Sequence, residues 1–434
     1  MLGEGARSGD PVPYDPAARA SFEARAAAGN AHVLYSKSPG GAIATAARVA
    51  ALRPRIDRAT AGSGVDPALV EGLVFVESGG RPDVIAGGNL AAASGLTQIL
   101  AQTGQALLGM HIDVPASARL TSQIEQARAA GNAGLEARLT QRRAQVDERF
   151  DTDKALRATV RYLKLAQARF GELDLAVASY HMGIGNLLRV LDLYDGGRGV
   201  PYAQLYFGTA PDDHPAAYHL LASFADESRL YFWRVLAATQ IMRLFRSDRH
   251  ALEQVDSLQR ASDSSAEVLH PPAHTAVYPD PVALAAAYQS RQLFALPVPG
   301  DAYGLAYAPS IGSAASQVGA PAALYRGLRP AALELLIVLA RRVRTLSASR
   351  STLTVASAVT DERYQRALGV ESFETTTGYS FELARTYGSR RQAEALQAVL
   401  ERLASLNLIA WTRPSRTIVV TVASDAENVL RHGL

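Results

Sequence analysis

The sequence predicts a mainly α protein, with a helical N-terminal domain followed by a smaller α+β C-terminal domain. Three observations lead there. From residue 42 to about 240, apolar residues recur at three- and four-residue spacing, Gly or Pro marks the breaks, and no alternating run reads as a strand. From about residue 321 the pattern becomes mixed: 331–343 and 392–403 read as helices, while 351–359 and 417–423 are β-branched and alternating, as strands are. Finally, 434 residues exceed the one or two hundred of an ordinary single domain, so two or three units are expected.

Taken in order, residues 1–40 are polar, carry Gly and Pro, and are expected to form a flexible N-terminal arm with one short helix. Residues 41–250 form the helical domain. Within it, 113–146 is rich in Ala, Arg, Gln and Glu and predicts an exposed helical insertion. Residues 251–320 contain His270-Pro271-Pro272, Pro279-Asp280-Pro281 and Pro297-Val298-Pro299-Gly300, the pattern of a Pro-rich connector, with a short helix around 283–292. Residues 321–434 form the α+β domain.

Composition excludes several function classes. Hydrophobic residues make up 48% and charged residues 20%, enough for real cores. Lys+Arg is 44 against 41 for Asp+Glu, a net charge of +3, too even to point to nucleic acid as a partner. The absence of cysteine excludes a disulfide framework, thiolate zinc sites and a cysteine nucleophile. No apolar run approaches the ~20 residues needed to span a bilayer, so no transmembrane segment is expected. Residues 1–10 are Gly-rich and charged, without the apolar stretch of a signal peptide.

One acid stands out. In Asp66-Pro67-Ala68-Leu69-Val70-Glu71-Gly72-Leu73-Val74-Phe75-Val76-Glu77-Ser78-Gly79-Gly80, Asp66 is a good N-cap and Pro67 suits the first helical position. Gly79 and Gly80 stop the helix. Val70, Leu73 and Val74 form the core stripe, and its next position is Glu77. Apolar neighbours and the negative end of the helix dipole both disfavour a charged carboxylate there. A carboxylic acid kept protonated near neutral pH is what a glycosidic leaving oxygen needs as a proton donor. By itself the pattern equally allows a glutamate at the edge of the stripe, solvated beside the glycines.

The surrounding motifs resemble the catalytic domain of soluble lytic transglycosylases, glycoside hydrolase family 23. Glu77-Ser78 matches the Glu-Ser pair. Gly95-Leu96-Thr97-Gln98-Ile99 stands where that family usually has Gly-Leu-Met-Gln-Ile. Ala178-Ser179-Tyr180-His181-Met182-Gly183 stands where it usually has Ala-Ala-Tyr-Asn-x-Gly. The three occur in the family's order, with helices expected over 157–165 and 175–180 between them. The resemblance covers roughly residues 65–194 and implies a lysozyme-like fold. It implies Glu77 as the sole acid/base and Tyr180 as a catalytic partner whose hydroxyl reaches it. It also implies Ser78 and Gln98 as substrate-binding residues, together with Thr97 and His181, which depart from the usual pattern. His181 adds a titratable group, which either tunes the pH optimum or satisfies a backbone carbonyl. Tyr202 and Tyr206, near Gly and Pro, are candidates for a groove wall, while Phe232 and Trp233 read as helix packing.

The implied reaction is cleavage between N-acetylmuramic acid and N-acetylglucosamine in peptidoglycan, leaving a 1,6-anhydromuramoyl end. Ordinary glycosidases use two carboxylates; this family uses one. Asp83 and Asp113, the nearby acids, sit in no recognisable partner motif. A water-using muramidase would need such a partner, and a non-enzymatic wall-binding protein would need neither. The partner implied is the glycan strand, the location extracytoplasmic, and no cofactor or metal is expected.

Glu374-Thr375-Thr376-Thr377-Gly378-Tyr379-Ser380-Phe381-Glu382 resembles the zinc motif of D-Ala-D-Ala carboxypeptidase-like wall peptidases, over about residues 325–423. Where that motif has His, Asp and a later His, this chain has Thr375, Glu382 and Val419. A catalytic zinc needs three protein ligands. The domain is therefore expected to be non-catalytic, retained for structure or for binding wall peptide. His270 and His274 flank a Pro-Pro-Ala stretch and read as linker. Arg341, Arg342 and Arg344 read as the solvated face of a helix.

Overall fold

The protein is mainly α, with 61% helix and 8% strand. The computed structural model describes residues 9–194, 199–261, 264–370 and 372–434. They divide into two compact units: one within residues 30–205 and 219–256, the other within 9–29, 206–218 and 257–434.

The first unit is built of helices. Its longest, Thr152–Phe170, begins at an Asp151 cap whose carboxylate accepts from the Asp153 and Lys154 amides and ends at left-handed Gly171. Its buried face carries Leu156, Thr159, Val160, Leu163, Ala166 and Phe170. The helix Leu173–Met182 packs against it. The helices Pro67–Ser78 and Tyr231–Ser247 pack closely on each other. The predicted insertion is a helical hairpin, Val114–Ala129 and Ala133–Val146, with a small core of Leu120, Ile124, Ala127 and Leu139. Asp113 caps its first helix, and the Asp113 amide donates to the Val146 carbonyl at the base (2.8 Å).

The second unit holds the strands: β1 Phe294–Ala295, β2 Leu305–Tyr307, β3 Gly327–Leu328, β4 Leu353–Ser357, β5 Ser380–Ala384, β6 Ile409–Thr412 and β7 Thr417–Val422. Five of them form one sheet in the order β2-β4-β5-β7-β6. β2 runs parallel to β4 and the other pairs are antiparallel. Phe381 pairs with Val420 and Leu383 with Ile418, and all four are buried. The helices Pro330–Ser347 and Arg390–Ser405 cover β6 and β7 and pack on each other. Both run past the apolar pattern at each end: Pro330 at N1 and the Ser389 N-cap open them, and the first continues to a left-handed Ala348.

Three expectations need correction. Residues 1–8 of the predicted flexible arm lie outside the described residues, but 9–29 are ordered by packing. Helix Arg19–Gly29 buries Phe22, Ala26 and Ala27, the Phe22 ring lies 5.1 Å from Phe207, and Arg402 binds Asp10 and the Val12 carbonyl. The described residues of the connector 251–320 are not loose. The connector's prolines start helices or turns between anchors such as Leu284, Leu293, Leu296 and Leu305, each at most 5% exposed. Arg342 is not solvated: it is 6% exposed and forks onto Asp212 at 2.6 and 2.5 Å.

Among the described residues, no helix is long and apolar enough to cross a membrane.

Candidate active site in the helical unit

Glu77 occupies the last turn of the helix Pro67–Ser78. The Asp66 carboxylate accepts from the Ala68 amide at its start (2.9 Å), and Gly79, with φ 61°, closes its end. Arg48 donates to the Gly79 carbonyl (2.8 Å), holding the chain just beyond the acid. A close helix crossing brings the site's second member. A Cβ at Gly72 would lie 2.6 Å from the Val235 carbonyl, so only glycine permits this approach of the helix Tyr231–Ser247. One turn further along each helix, the Tyr231 hydroxyl donates to Glu77 Oε1 (2.5 Å).

The aromatic rings continue from there. Tyr180 stacks on Tyr231, with centroids 6.3 Å apart and planes 9° from parallel. The Tyr180 hydroxyl donates to the Thr97 carbonyl (2.8 Å) and lies 3.3 Å from the Thr159 hydroxyl. The expectation that Tyr180 bonds Glu77 is therefore corrected: Tyr231 takes that place, and Tyr180 ties the Thr97 loop to the cluster. The exposed His181 ring lies 5.4 Å from Tyr231, with Nδ1 2.9 Å from the Ser228 hydroxyl, so its partner is a side chain and not a backbone carbonyl.

Desolvation raises the Glu77 carboxyl from 4.5 to about 7, against the opposing pull of the Tyr231 hydrogen bond. Burial, reinforced by the Glu77 charge, pushes both tyrosine hydroxyls upward, so they remain donors at neutral pH. The packing of the His181 ring against its neighbours lowers its pKa by partial desolvation, although the residue as a whole is exposed. The result is one carboxyl able to give or take a proton near neutrality, held by one neutral donor, Tyr231. The other acids near it in sequence have structural duties. Asp83 lies 3.7 Å from Arg128 and Asp113 caps the insertion.

The loop carrying Thr97 and Gln98 is fixed by a feature the sequence reading missed. Arg149, 1% exposed, pairs with fully buried Asp147 through Nε and Nη2 (2.9 and 2.8 Å). Its remaining donors reach the Leu90, Ala92 and Ile99 carbonyls at 2.7, 2.9 and 3.4 Å. Gly95 crosses against it with φ 82°, where a Cβ would lie 2.0 Å from the Arg149 carbonyl.

The remaining predicted site residues are placed as follows. Gln98, with φ 50°, turns its amide onto the Gly95 and Val84 carbonyls (2.7 and 3.1 Å). The Ser78 side chain is buried and, among the described residues, reaches only the Val74 carbonyl, at 3.4 Å. The Thr97 hydroxyl is buried, without a hydrogen-bond partner among the described residues. Tyr202 is not a groove wall. It is fully buried against Phe232 and Trp233, its hydroxyl donates to the Arg229 carbonyl (2.6 Å), and its amide donates to Asp174 (2.6 Å). Tyr206 belongs to the other unit, 2.9 Å from the Ser405 hydroxyl.

In the α+β unit, Thr375 is buried in a polar cluster. Its hydroxyl lies 2.8 Å from that of Thr360 and accepts from the Gln365 amide (2.7 Å). Glu382 on β5 faces Val419 across the ladder. His270 stacks on Tyr379 at 4.0 Å and contacts the Val422 carbonyl (2.7 Å), so it is a core residue and not part of a linker. Among the described residues, no group of three or more His, Cys, Asp or Glu could hold a metal ion.

No protein-family model matches the chain, and no curated protein matches it.

Two outcomes follow from this geometry. Arg149→Met leaves the Asp147 charge buried and unpaired and should cost about 3–5 kcal/mol of stability, measured by urea unfolding. Glu77→Gln should act in the opposite direction, with a pH signature. Because the folded pKa of about 7 lies above 4.5, the native state is favoured below the lower value and loses stability as pH rises to the higher one. The advantage of Glu77→Gln over the parent protein should be absent near about pH 4. It should plateau above about pH 7 at up to roughly 3 kcal/mol, by thermal melts across pH.

Proposed function

We propose that the helical unit is a peptidoglycan lytic transglycosylase acting at the bond between N-acetylmuramic acid and N-acetylglucosamine, with Glu77 as its only acid/base. The carrying observation is the single desolvated carboxyl with a pKa of about 7, buttressed by Tyr231. A group poised there can protonate the leaving oxygen and then, as a carboxylate, accept the proton of the C6 hydroxyl as that oxygen closes onto C1. No second carboxylate is then required. Tyr231 holds the Glu77 rotamer, and Tyr180 anchors the Thr97–Gln98 loop that would line the glycan groove. The substrate places the protein outside the cytoplasm. The α+β unit would serve structure or contact wall peptide.

A second reading, a wall-binding protein without activity, draws on Ser78 and Gln98, whose side chains bond to their own backbone surroundings. Mass spectrometry of digested sacculi separates the two. The expected product is anhydromuramoyl ends, abolished by Glu77→Gln; reducing ends would mean a water-using muramidase, and no soluble product would mean a scaffold. The rate should fall as pH rises through about 7, since the acid must start protonated. In Tyr231→Phe that alkaline limb should move upward, because the hydrogen bond that favours the carboxylate is gone, while kcat falls.

A further inference from the structure

One end of the five-stranded sheet gathers arginines. β5 and β6 finish there, and β4 and β7 begin there. Arg350 leads into β4, Arg385 follows β5, Arg416 precedes β7 and Arg413 follows β6, one arginine for each of four neighbouring strands. At the ordinary spacing between strands this row spans about 14 Å. Arg390 and Arg391 open the helix Arg390–Ser405 beside it. All six are exposed. The acids nearest to them are Glu394, paired with Arg390 (2.7 Å), Asp301 in the turn before β2, and Glu382, further inside β5. Even against these three acids, the end carries an excess as large as the +3 of the whole chain, so the rest of the chain is on balance neutral.

The fold holds these arginines in place. The Arg385 amide donates to the Arg416 carbonyl (3.0 Å), and Arg385 Nη1 donates to the Pro414 and Ser415 carbonyls (2.9 and 3.1 Å), closing the turn between β6 and β7. Gln392, 1% exposed, accepts from the Gly388 amide (2.7 Å) and donates to the Ser351 and Thr352 carbonyls (3.2 Å each), tying the start of the helix to the start of β4. The Arg413 guanidinium lies over the Trp411 ring, 5.3 Å from its centre. Trp411 and Tyr387 are half-buried at the rim. Arg350, Arg391 and Arg416 engage no acid among the described residues. The large hydrophobic side chains exposed among the described residues all lie elsewhere.

We propose that this end of the sheet docks on an anionic phospholipid surface, as a peripheral contact. The proposal is independent of the glycan reading. Guanidinium groups fork onto phosphate oxygens. A row across four strands, with a second row on the helix, makes a two-dimensional patch. A plane of headgroups meets all six arginines at once, whereas a single phosphodiester chain follows one row. Tyr and Trp, with an apolar body and a polar tip, suit the level of the headgroups. Without exposed aliphatic side chains to enter the acyl layer, the contact is electrostatic, reversible and weakened by salt.

The test uses the full chain and vesicles of phosphatidylcholine with or without phosphatidylglycerol. The chain should sediment with the phosphatidylglycerol-containing vesicles, stay in solution with pure phosphatidylcholine, and be released by added salt. Of the two tryptophans, Trp233 is buried and Trp411 lies at the rim, so emission should shift to the blue on binding in the parent but not in Trp411→Phe. Arg350→Gln/Arg391→Gln/Arg416→Gln should weaken binding about fivefold for each arginine, roughly a hundredfold together. That variant should melt like the parent, because none of the three side chains is buried. Arg119→Gln/Arg138→Gln/Arg142→Gln removes the same charge from exposed positions of the helical insertion and should bind vesicles as the parent does. Equal binding to pure phosphatidylcholine, undiminished binding in the first triple variant, or an equal loss in the second overturns the proposal. So does tighter binding of poly(glycerol phosphate) or of a single-stranded oligonucleotide than of the anionic vesicles.

Discussion

The site depends on the crossing of two helices, Pro67–Ser78 and Tyr231–Ser247, at Gly72. Removing one side chain lets the Val235 backbone approach where a methyl group would collide. Everything at the acid is a consequence of that distance. Thr239 contacts the helix start through the Ala68 carbonyl (3.4 Å), Gly72 sits under Val235, and Tyr231 reaches Glu77. The crossing is pinned a second time by Glu71, whose buried carboxylate is held by Arg246 and by Arg53 (3.2 Å). A buried charge satisfied from two sides resists slippage, because a shift of one residue would strand it without partners.

The Thr97–Gln98 loop is organised differently. It has no regular ladder, only isolated bridges among Ile85, Ser94 and Ile99. An irregular buried segment must still satisfy its carbonyls. Arg149 does so for three of them with one planar, always-charged group, and Asp147 neutralises it. Both residues stand at the exit of the helical insertion, where the Glu148 amide bonds the His111 carbonyl (3.0 Å). The insertion therefore returns the chain at the point where the loop needs its clamp.

The sequence made some of this legible and hid the rest for identifiable reasons. A helix announced by a clean stripe and a cap, such as Pro67–Ser78, was readable because the cap is local. Glu77 was readable as a break in such a stripe. Tyr231 was not: an aromatic residue on an apolar helix looks the same whether its hydroxyl meets water or an acid across the fold, 154 positions away in sequence. Arg149 escaped because Asp147-Glu148-Arg149 ends a charged helix and reads as solvated surface. Tyr202 misled in the other direction. Its neighbouring Gly and Pro suggested an exposed turn, yet Asp174 and the Arg229 carbonyl satisfy its polar atoms inside the core. The ordering of 9–29 and 251–320 was hidden for a related reason: Pro and Gly mark both disordered chain and well-capped turns.

The energetics of Glu77 bear on why the rest of the cluster is neutral. A carboxyl raised to about 7 is a group the fold holds at a cost whenever it ionises. A nearby arginine would remove that cost and also the proton donor, by pulling the carboxyl back into the ordinary acidic range. A second carboxylate would raise the carboxyl further and keep it protonated. Neutral phenols do neither. Tyr231 fixes the position of the acid by a hydrogen bond that offsets only part of the desolvation, and Tyr180 is kept from competing for it by its own bond to the Thr97 carbonyl. A carboxyl poised between its two protonation states near pH 7 needs neighbours that carry no charge, and the neutral phenols of Tyr231 and Tyr180 leave it so.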